Sequence, residues 1–192
     1  MTLVFASNNR HKLREIREIL NNEVEILSLE DIGCREEIPE EHDTLEGNAC
    51  QKAGYIFQRY TMNCFADDTG LEIEALKGEP GVYSARYAGE NCTFDDNMNL
   101  VLEKMKGIRN RKARFRTVIA LIENGILSTF EGSVEGSIIS EKKGLAGFGY
   151  DPIFIPDGFK ETFAEMPHII KNTVSHRARA IASFIAHIKT QT

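Results

Sequence analysis

No apolar run in the chain approaches the roughly 18 residues that a membrane-crossing helix needs, so no membrane span is expected. The opening Met1-Thr2-Leu3-Val4-Phe5-Ala6 is too short and carries no positive side chain, which does not fit a secretory signal. Cysteine is scarce. The four are Cys34, Cys50, Cys64 and Cys92, and none forms a C-x-x-C pair, so neither a zinc site nor a dithiol redox motif is indicated. Buried, reduced thiols in a cytoplasmic protein are the simplest reading. A basic excess is missing too: 23 Lys and Arg face 29 Asp and Glu, for a net charge of −6. Such a surface does not suit a sequence-independent nucleic-acid binder, which needs a basic stripe. A local basic pocket for a small anion stays open. The Walker A spacing G-x-x-x-x-G-K is absent, as are repeats, low-complexity stretches and linkers.

What is present suits one domain over residues 1–192. Hydrophobic residues make up 42% and charged residues 27%, enough for a sizeable core under an ordinary soluble surface. Leu3 to Ala6 reads as a short buried strand that breaks into a polar turn, Ser7-Asn8-Asn9-Arg10-His11-Lys12. A helix to about Leu20 follows, with Leu13, Ile16, Ile19 and Leu20 on one face. Val24 to Leu29 predicts a second strand, and a strand-helix-strand opening points to an α/β unit. The acidic residues 33–46 lead into a helix from Leu45 to Tyr60, then a strand from Cys64 to Ala66 that ends in the turn Asp67-Asp68-Thr69-Gly70. Thr93-Phe94-Asp95-Asp96 has the chemistry of a helix start, and that helix ends near Gly107. Ala113 to Glu123 and Ile126 to Ile139, joined by Asn124-Gly125, predict a hairpin. Residues 144–168, rich in Gly, Pro and Phe, predict a functional loop region. Ser175 caps a last helix striped by Ile181, Phe184, Ile185 and Ile188. The fold class is α/β, with a central mixed sheet flanked by helices.

Several stretches carry candidate chemistry. Ser7 to Lys12 sits where a strand feeds a helix, so backbone N–H groups and polar side chains converge as a phosphate would require; an ordinary turn with an Asn cap is the simpler alternative. Asn48 and Lys52 lie one turn apart on one helical face, where they could point a donor and a cation into one cleft; a solvated face is the simpler alternative. Asp67 and Asp68 directly follow an apolar strand. Paired carboxylates there suit a divalent cation, although a turn held by Asp and Gly would look the same. Alternation along a strand lets only one of the two acids face a given metal, and a Glu from residues 36–46 could complete the shell. Phe148-Gly149-Tyr150-Asp151 joins flexible glycine to rings that could stack on a base or plug the core. Ser175-His176-Arg177 opens the last helix with donors, or simply caps it.

In this order the stretches resemble the noncanonical purine nucleoside triphosphate pyrophosphatases, the inosine/xanthosine triphosphate family. The resemblance covers nearly the whole chain. The family's T-G-N-x-x-K stands here as Ser7 to Lys12, with Asn8 in place of glycine; Asn is the residue besides Gly that best tolerates positive φ. N-x-x-x-K-A stands as Asn48, Lys52 and Ala53, and A-D-D-[ST]-G-L as Ala66 to Leu71. P-G-x-Y-S-A-R-Y stands as Pro80 to Tyr87, F-G-[YW]-D-P as Phe148 to Pro152, and S-H-R as Ser175 to Arg177.

The resemblance implies an elongated α/β fold of two lobes with a deep substrate cleft, assembled as a homodimer in the cytoplasm. It implies Mg²⁺-assisted hydrolysis of ITP, dITP and XTP to the monophosphate and pyrophosphate. Asp68 would be general base and metal ligand, with Glu40 the second metal acid beside its neighbour Glu41. Ser7, Asn8, Asn9, Arg10, His11, Lys12, Lys52 and Lys171 would hold the triphosphate. Thr69, Phe148, Gly149, Tyr150, Asp151, His176 and Arg177 would contact the nucleoside, with Arg177 and backbone N–H groups as donors to the base and Phe148 or Tyr150 as the stacking ring. Expected partners are the purine nucleoside triphosphate and a second copy of the chain, with neither nucleic acid nor membrane. The rivals are a broader metal-dependent phosphohydrolase and a non-catalytic nucleotide-binding protein.

Overall fold

The computed structural model describes residues 1–21 and 23–190. Five α-helices and six strands follow one another in these residues. They are β1 (Thr2–Phe5), α1 (Arg10–Leu20), β2 (Glu25–Leu27), α2 (Leu45–Tyr60), β3 (Cys64–Ile73), α3 (Phe94–Lys104), β4 (Lys112–Glu123), β5 (Ile126–Ile138), β6 (Phe154–Pro156), α4 (His168–Val174) and α5 (His176–Thr190). The strands form a mixed sheet in the order β2-β1-β3-β4-β5-β6. β1 runs parallel to both β2 and β3, with Leu3 opposite Ile26 and Phe5 opposite Phe65. β5 and β6 run antiparallel. The α/β class is as the sequence predicts, and no helix among the described residues is long and apolar enough to cross a membrane.

The chain divides into two compact units, Met1–Asp68 with Thr117–Gly132 and Arg177–Thr192, and Thr69–Arg116 with Ser133–His176. In the first, Leu3 and Phe5 of β1, Phe65 of β3 and Ile119 and Leu121 of β4 bury their side chains with Ile16 and Leu20 of α1. The stripe of α5 closes this core. Ile181 and Phe184 are fully buried with Ile185 and Ile188 packed behind, and the Phe65 ring lies 5.0 Å from Phe5 and 5.2 Å from Phe184. In the second unit Leu71, Ile73, Met98, Val101, Phe115, Phe154 and Phe163 form the core, with Phe115 and Phe154 edge to face at 4.8 Å.

Helix boundaries follow local chemistry. Asn9 caps α1, its side chain accepting the His11 and Lys12 N–H groups. Thr44 caps α2 through the Gly47 N–H, and Thr93 and Asp96 form a reciprocal capping box at α3. Asn8 is not among the residues with positive φ, so this turn places no special demand on a glycine there.

Two expectations need correction. The acidic stretch is not a turn after a strand ending at Ala66, because β3 carries Asp67, Asp68, Thr69 and Gly70 inside its ten residues and ends at Ile73. Buried acids can sit within a strand when cations wait for them, as they do here. The predicted loop 144–168 also holds β6, and α4 starts at its last residue. Elements of three and seven residues, the helix lacking a side-chain cap, are too short to print a period.

Gly70 explains itself by space. A Cβ there would meet the Gly81 carbonyl oxygen at 2.5 Å and its carbon at 2.8 Å. The same junction is held by Ser84, whose hydroxyl accepts the Leu71 N–H at 2.9 Å and donates to Gly81 O at 2.6 Å. Gly70→Ala is therefore expected to destabilise the protein by about 2 kcal/mol, the usual range for forced overpacking, and to lower the melting temperature by roughly 5 °C. A thermal melt within 1 °C of the wild type, an order-of-magnitude threshold, would contradict the steric account.

Candidate active site

The site starts from the pleat of β3, which sends adjacent side chains to opposite faces. Asp67 is 0% exposed. Its carboxylate meets Lys12 of α1 at 3.0 Å and Arg177 of α5, whose Nε and Nη2 donate at 3.3 and 3.2 Å. Arg177 is itself buried, and its Nη1 donates to Glu15 of α1. Burial pushes the Asp67 carboxyl up, but Lys12, Arg177 and Lys52 outweigh it and hold the group well below the usual carboxylate range. Arg177 suffers the same desolvation, and Asp67 and Glu15 more than reverse it. Lys12 comes out the other way, since burial lowers its pKa more than Asp67 and Asp68 raise it.

Asp68 faces a different set. Its Oδ2 accepts from Asn48 Nδ2 at 3.2 Å, and its Oδ1 lies 3.8 Å from Lys52 Nζ. That ammonium, 4% exposed on α2, also donates to Glu40 Oε1. Burial is the largest influence on Asp68, and with Glu40 and Asp67 nearby its pKa is raised despite Lys52 and Lys12. Lys52 loses by burial and regains more from Asp68, Glu40 and Asp67, so its own pKa is raised. A carboxylate lifted towards neutrality, flanked by a second acid and a cation, has the electrostatics of a general base.

The resemblance names Glu40 beside its neighbour Glu41, and the two side chains have different partners. Glu40 reaches Lys52 beside Asp68, whereas Glu41 pairs with Gln51 of α2. Of the Ser7–Lys12 turn, Ser7 Oγ accepts the Asn9 N–H at 3.2 Å, and the Asn9 oxygen is taken by the first N–H groups of α1. Asn8, Arg10 and His11 are exposed.

The other expected substrate residues lie in the second unit. Asp151 Oδ2 accepts Lys171 Nζ at 2.6 Å and the Phe148 N–H at 2.9 Å. Both charged groups are buried. Gly147 admits this bend, since its φ is +76° and a Cβ would strike Asp151 Oδ2 at 2.1 Å. Lys171 Nζ stands 5.1 Å over the half-buried Phe148 ring, which lies 6.1 Å from Phe94. Tyr150 belongs to the core, its hydroxyl donating to Ser84 O at 2.8 Å. Phe148 is thus the more open of the two rings offered for stacking. His176 is buried and stacks on Phe115 at 4.8 Å. Thr69 and Gly149 are half-buried.

Sequence reasoning gave Arg177 to the base, but the structure sets its guanidinium on two carboxylates. It missed Glu15 altogether. The available signal was its position among Lys12, Ile16 and Ile19, inside the apolar stripe of α1, where a lone acid requires a partner. Asn48 was singled out as a donor to the cleft, without the second bond its amide makes to the loop before α2.

The Ham1 family model matches residues 3–187. The chain is 55% identical over 185 residues to the dITP/XTP pyrophosphatase of Flavobacterium johnsoniae, covering 96% of each. It is 57% identical over 181 residues to the dITP/XTP pyrophosphatase of Porphyromonas gingivalis, covering 94% of this chain and 93% of that one. Among solved structures, the Staphylococcus aureus Ham1 protein superposes with a TM-score of 0.91 at 34% identity over 100% of both chains. A Coxiella burnetii HAM1 protein follows at 0.90 and 36%, also over 100% of both. With the ordered motifs, the fold and these full-length matches in agreement, the chain belongs to the Ham1 family.

Proposed function

We propose that this chain hydrolyses noncanonical purine nucleoside triphosphates, dITP, XTP and ITP, to the monophosphate and pyrophosphate. The observation that carries the reading is Asp68, a buried carboxylate of raised pKa set beside Glu40 and Lys52. Relatives that share more than half of its residues are named for this reaction.

In this reading Asp68 orients a water and takes its proton as the oxygen attacks phosphorus. Asn48 fixes one carboxylate oxygen, and the other, which faces Lys52, takes that proton. Lys12, Lys52 and Lys171 offset the charge that grows on the phosphate oxygens. Asp67 stays ionised and holds Lys12 in place. Thr69, Phe148, Gly149, Tyr150, Asp151 and His176 are the proposed nucleoside residues, with Phe148 stacking on the base. A carbonyl at C6 accepts from N–H donors, and the amino group of adenine meets the same donors as a clash of hydrogens. Because Arg177 holds Glu15 and Asp67, backbone N–H groups are the proposed donors.

Mg²⁺ is the proposed cofactor. The donor set fits it: Glu40 and Asp68 offer hard carboxylate oxygens around one cationic point already marked by Lys52. Among the described residues no three His, Cys, Asp or Glu gather, and Mg²⁺ is commonly held by one or two carboxylates plus substrate phosphate. When bound it would neutralise phosphate charge and polarise phosphorus. A homodimer in the cytoplasm completes the proposal.

Incubation with dITP, XTP, ATP and GTP, with separate detection of pyrophosphate and orthophosphate, tests this. Pyrophosphate release is expected, with dITP and XTP at least about 10²-fold ahead of ATP in kcat/KM, as buried donor mismatch commonly gives. Orthophosphate as first product, or equal use of ATP, would overturn it.

A further inference from the structure

The segment before α2 has no regular secondary structure between Cys34 and Thr44, yet it carries Glu40. Its side-chain and backbone ties to α2 run in reverse order along one helical stripe. Glu36 takes the Tyr55 hydroxyl at 2.5 Å and Arg59 at 2.9 Å. Glu40 takes Lys52. Glu41 and Gln51 form a closed pair, in which the Glu41 N–H donates to Gln51 Oε1 at 2.9 Å and Gln51 Nε2 donates to Glu41 Oε2 at 3.1 Å. The His42 N–H donates to Asn48 Oδ1 at 2.9 Å, and the other end of that amide donates to Asp68. Asn48, Gln51 and Lys52 are at i, i+3 and i+4, so they share a face.

We infer that Gln51 is a positioning residue for Glu40, and that the polar face of α2 is the template that sets the acid loop in register with Asp68. This rests on the proposed function for its meaning, though not for its geometry. The Gln51 side chain acts on Glu41, one residue from Glu40, and not on the Asp68 carboxylate or the Lys52 ammonium. It fixes both the backbone and the side chain of Glu41, the residue next to Glu40. A segment without backbone pairing takes its position from such ties. With Gln51 replaced, Glu41 is released to water, and Glu40 keeps its tie to Lys52 but loses the fixed backbone beside it. A shift of about 1 Å at a catalytic group commonly costs a large part of the rate.

The pair can be reversed without changing net charge. In the swap Gln51→Glu with Glu41→Gln, the new carboxylate accepts both the backbone N–H and the new amide. Gln51→Leu keeps the volume and removes both bonds. The expected result for Gln51→Leu is a kcat on dITP lowered by about 10-fold, with KM moved less than about threefold and melting unchanged. The swap is expected to retain kcat to within about threefold of wild type by the same reasoning. Binding of Mn²⁺ to the nucleotide-free protein, followed by electron paramagnetic resonance, supplies a readout that needs no turnover: affinity falls about 10-fold in Gln51→Leu and returns in the swap. Wild-type kcat and Mn²⁺ affinity in Gln51→Leu would overturn the inference, and so would a swap as impaired as Gln51→Leu. If the wild type releases no pyrophosphate, the proposed reaction fails instead, and the Mn²⁺ series still decides the role of Gln51.

Discussion

Asp68→Asn is expected to lower kcat for dITP by about 10²-fold or more, the usual contribution of a general base, while the protein stays folded. Asparagine keeps the shape and can still accept from Asn48 Nδ2, which now reaches Asp68 Oδ2 at 3.2 Å. It cannot take a proton from water. The stability side of the prediction has a definite sign. Burial first, then Glu40 and Asp67, raise the folded pKa of Asp68 above its ordinary value despite Lys52 and Lys12. A carboxyl raised in the folded state withdraws stability as pH climbs past its unfolded pKa. In metal-free buffer near pH 7, Asp68→Asn should therefore melt at or above the wild-type temperature. Calorimetry and pyrophosphate release on the same preparation check both halves. An active variant would show that the base lies elsewhere, and a cooperative transition lost on substitution would show that Asp68 is structural.

Arg177→Met is expected to do the opposite, striking stability before chemistry. The substitution leaves Glu15 and Asp67 buried at 3% and 0% exposure without the guanidinium that serves both. Removing one partner of a buried ion pair costs about 3–5 kcal/mol, or roughly 10 °C in melting temperature for a chain of this size. Lys12 still faces Asp67, which places the loss at the lower end of that range. Arg177→Lys keeps the charge but not the planar fork that reaches two acids, and should fall between. The depressed pKa of Asp67 gives a pH test. Burial works against its ionisation, but Lys12, Arg177 and Lys52 win, so the stabilisation is present above the unfolded carboxyl pKa and is lost as pH falls below it. The gap in melting temperature between wild type and Arg177→Met should narrow on acidification. A constant gap from neutral pH down to about pH 3, below an ordinary carboxyl, would sink the account.

These two acids also mark how far the sequence could be read. That Asp67 and Asp68 have separate tasks was legible from strand alternation together with the family resemblance. α2 was legible to its ends because Thr44 and the break at Thr61 are local signals. The extent of β3 was not. Propensity stops a strand at Asp-Asp-Thr-Gly, and only the distant cations of α1, α2 and α5 make those residues acceptable inside one. The partners of Arg177 were illegible for the same reason, since Glu15 lies 162 positions away. Lys171 and Asp151 could be named singly, but not the bond between them, which folds the Phe148 turn. What local patterns cannot carry is which opposite charge will arrive from elsewhere in the chain.

The alternation in β3 makes this strand a reading frame. Between Phe65, which is pinned opposite Phe5, and Gly70, which is pinned against Gly81, every side chain has a fixed parity. Gain or loss of one residue there would turn each of them over, handing Asp68 to Arg177 and Asp67 to Asn48. Such a chain would differ by a single residue, yet it would have its acid and its ballast exchanged. Variation in length must therefore be absorbed outside this stretch, whatever substitutions it tolerates.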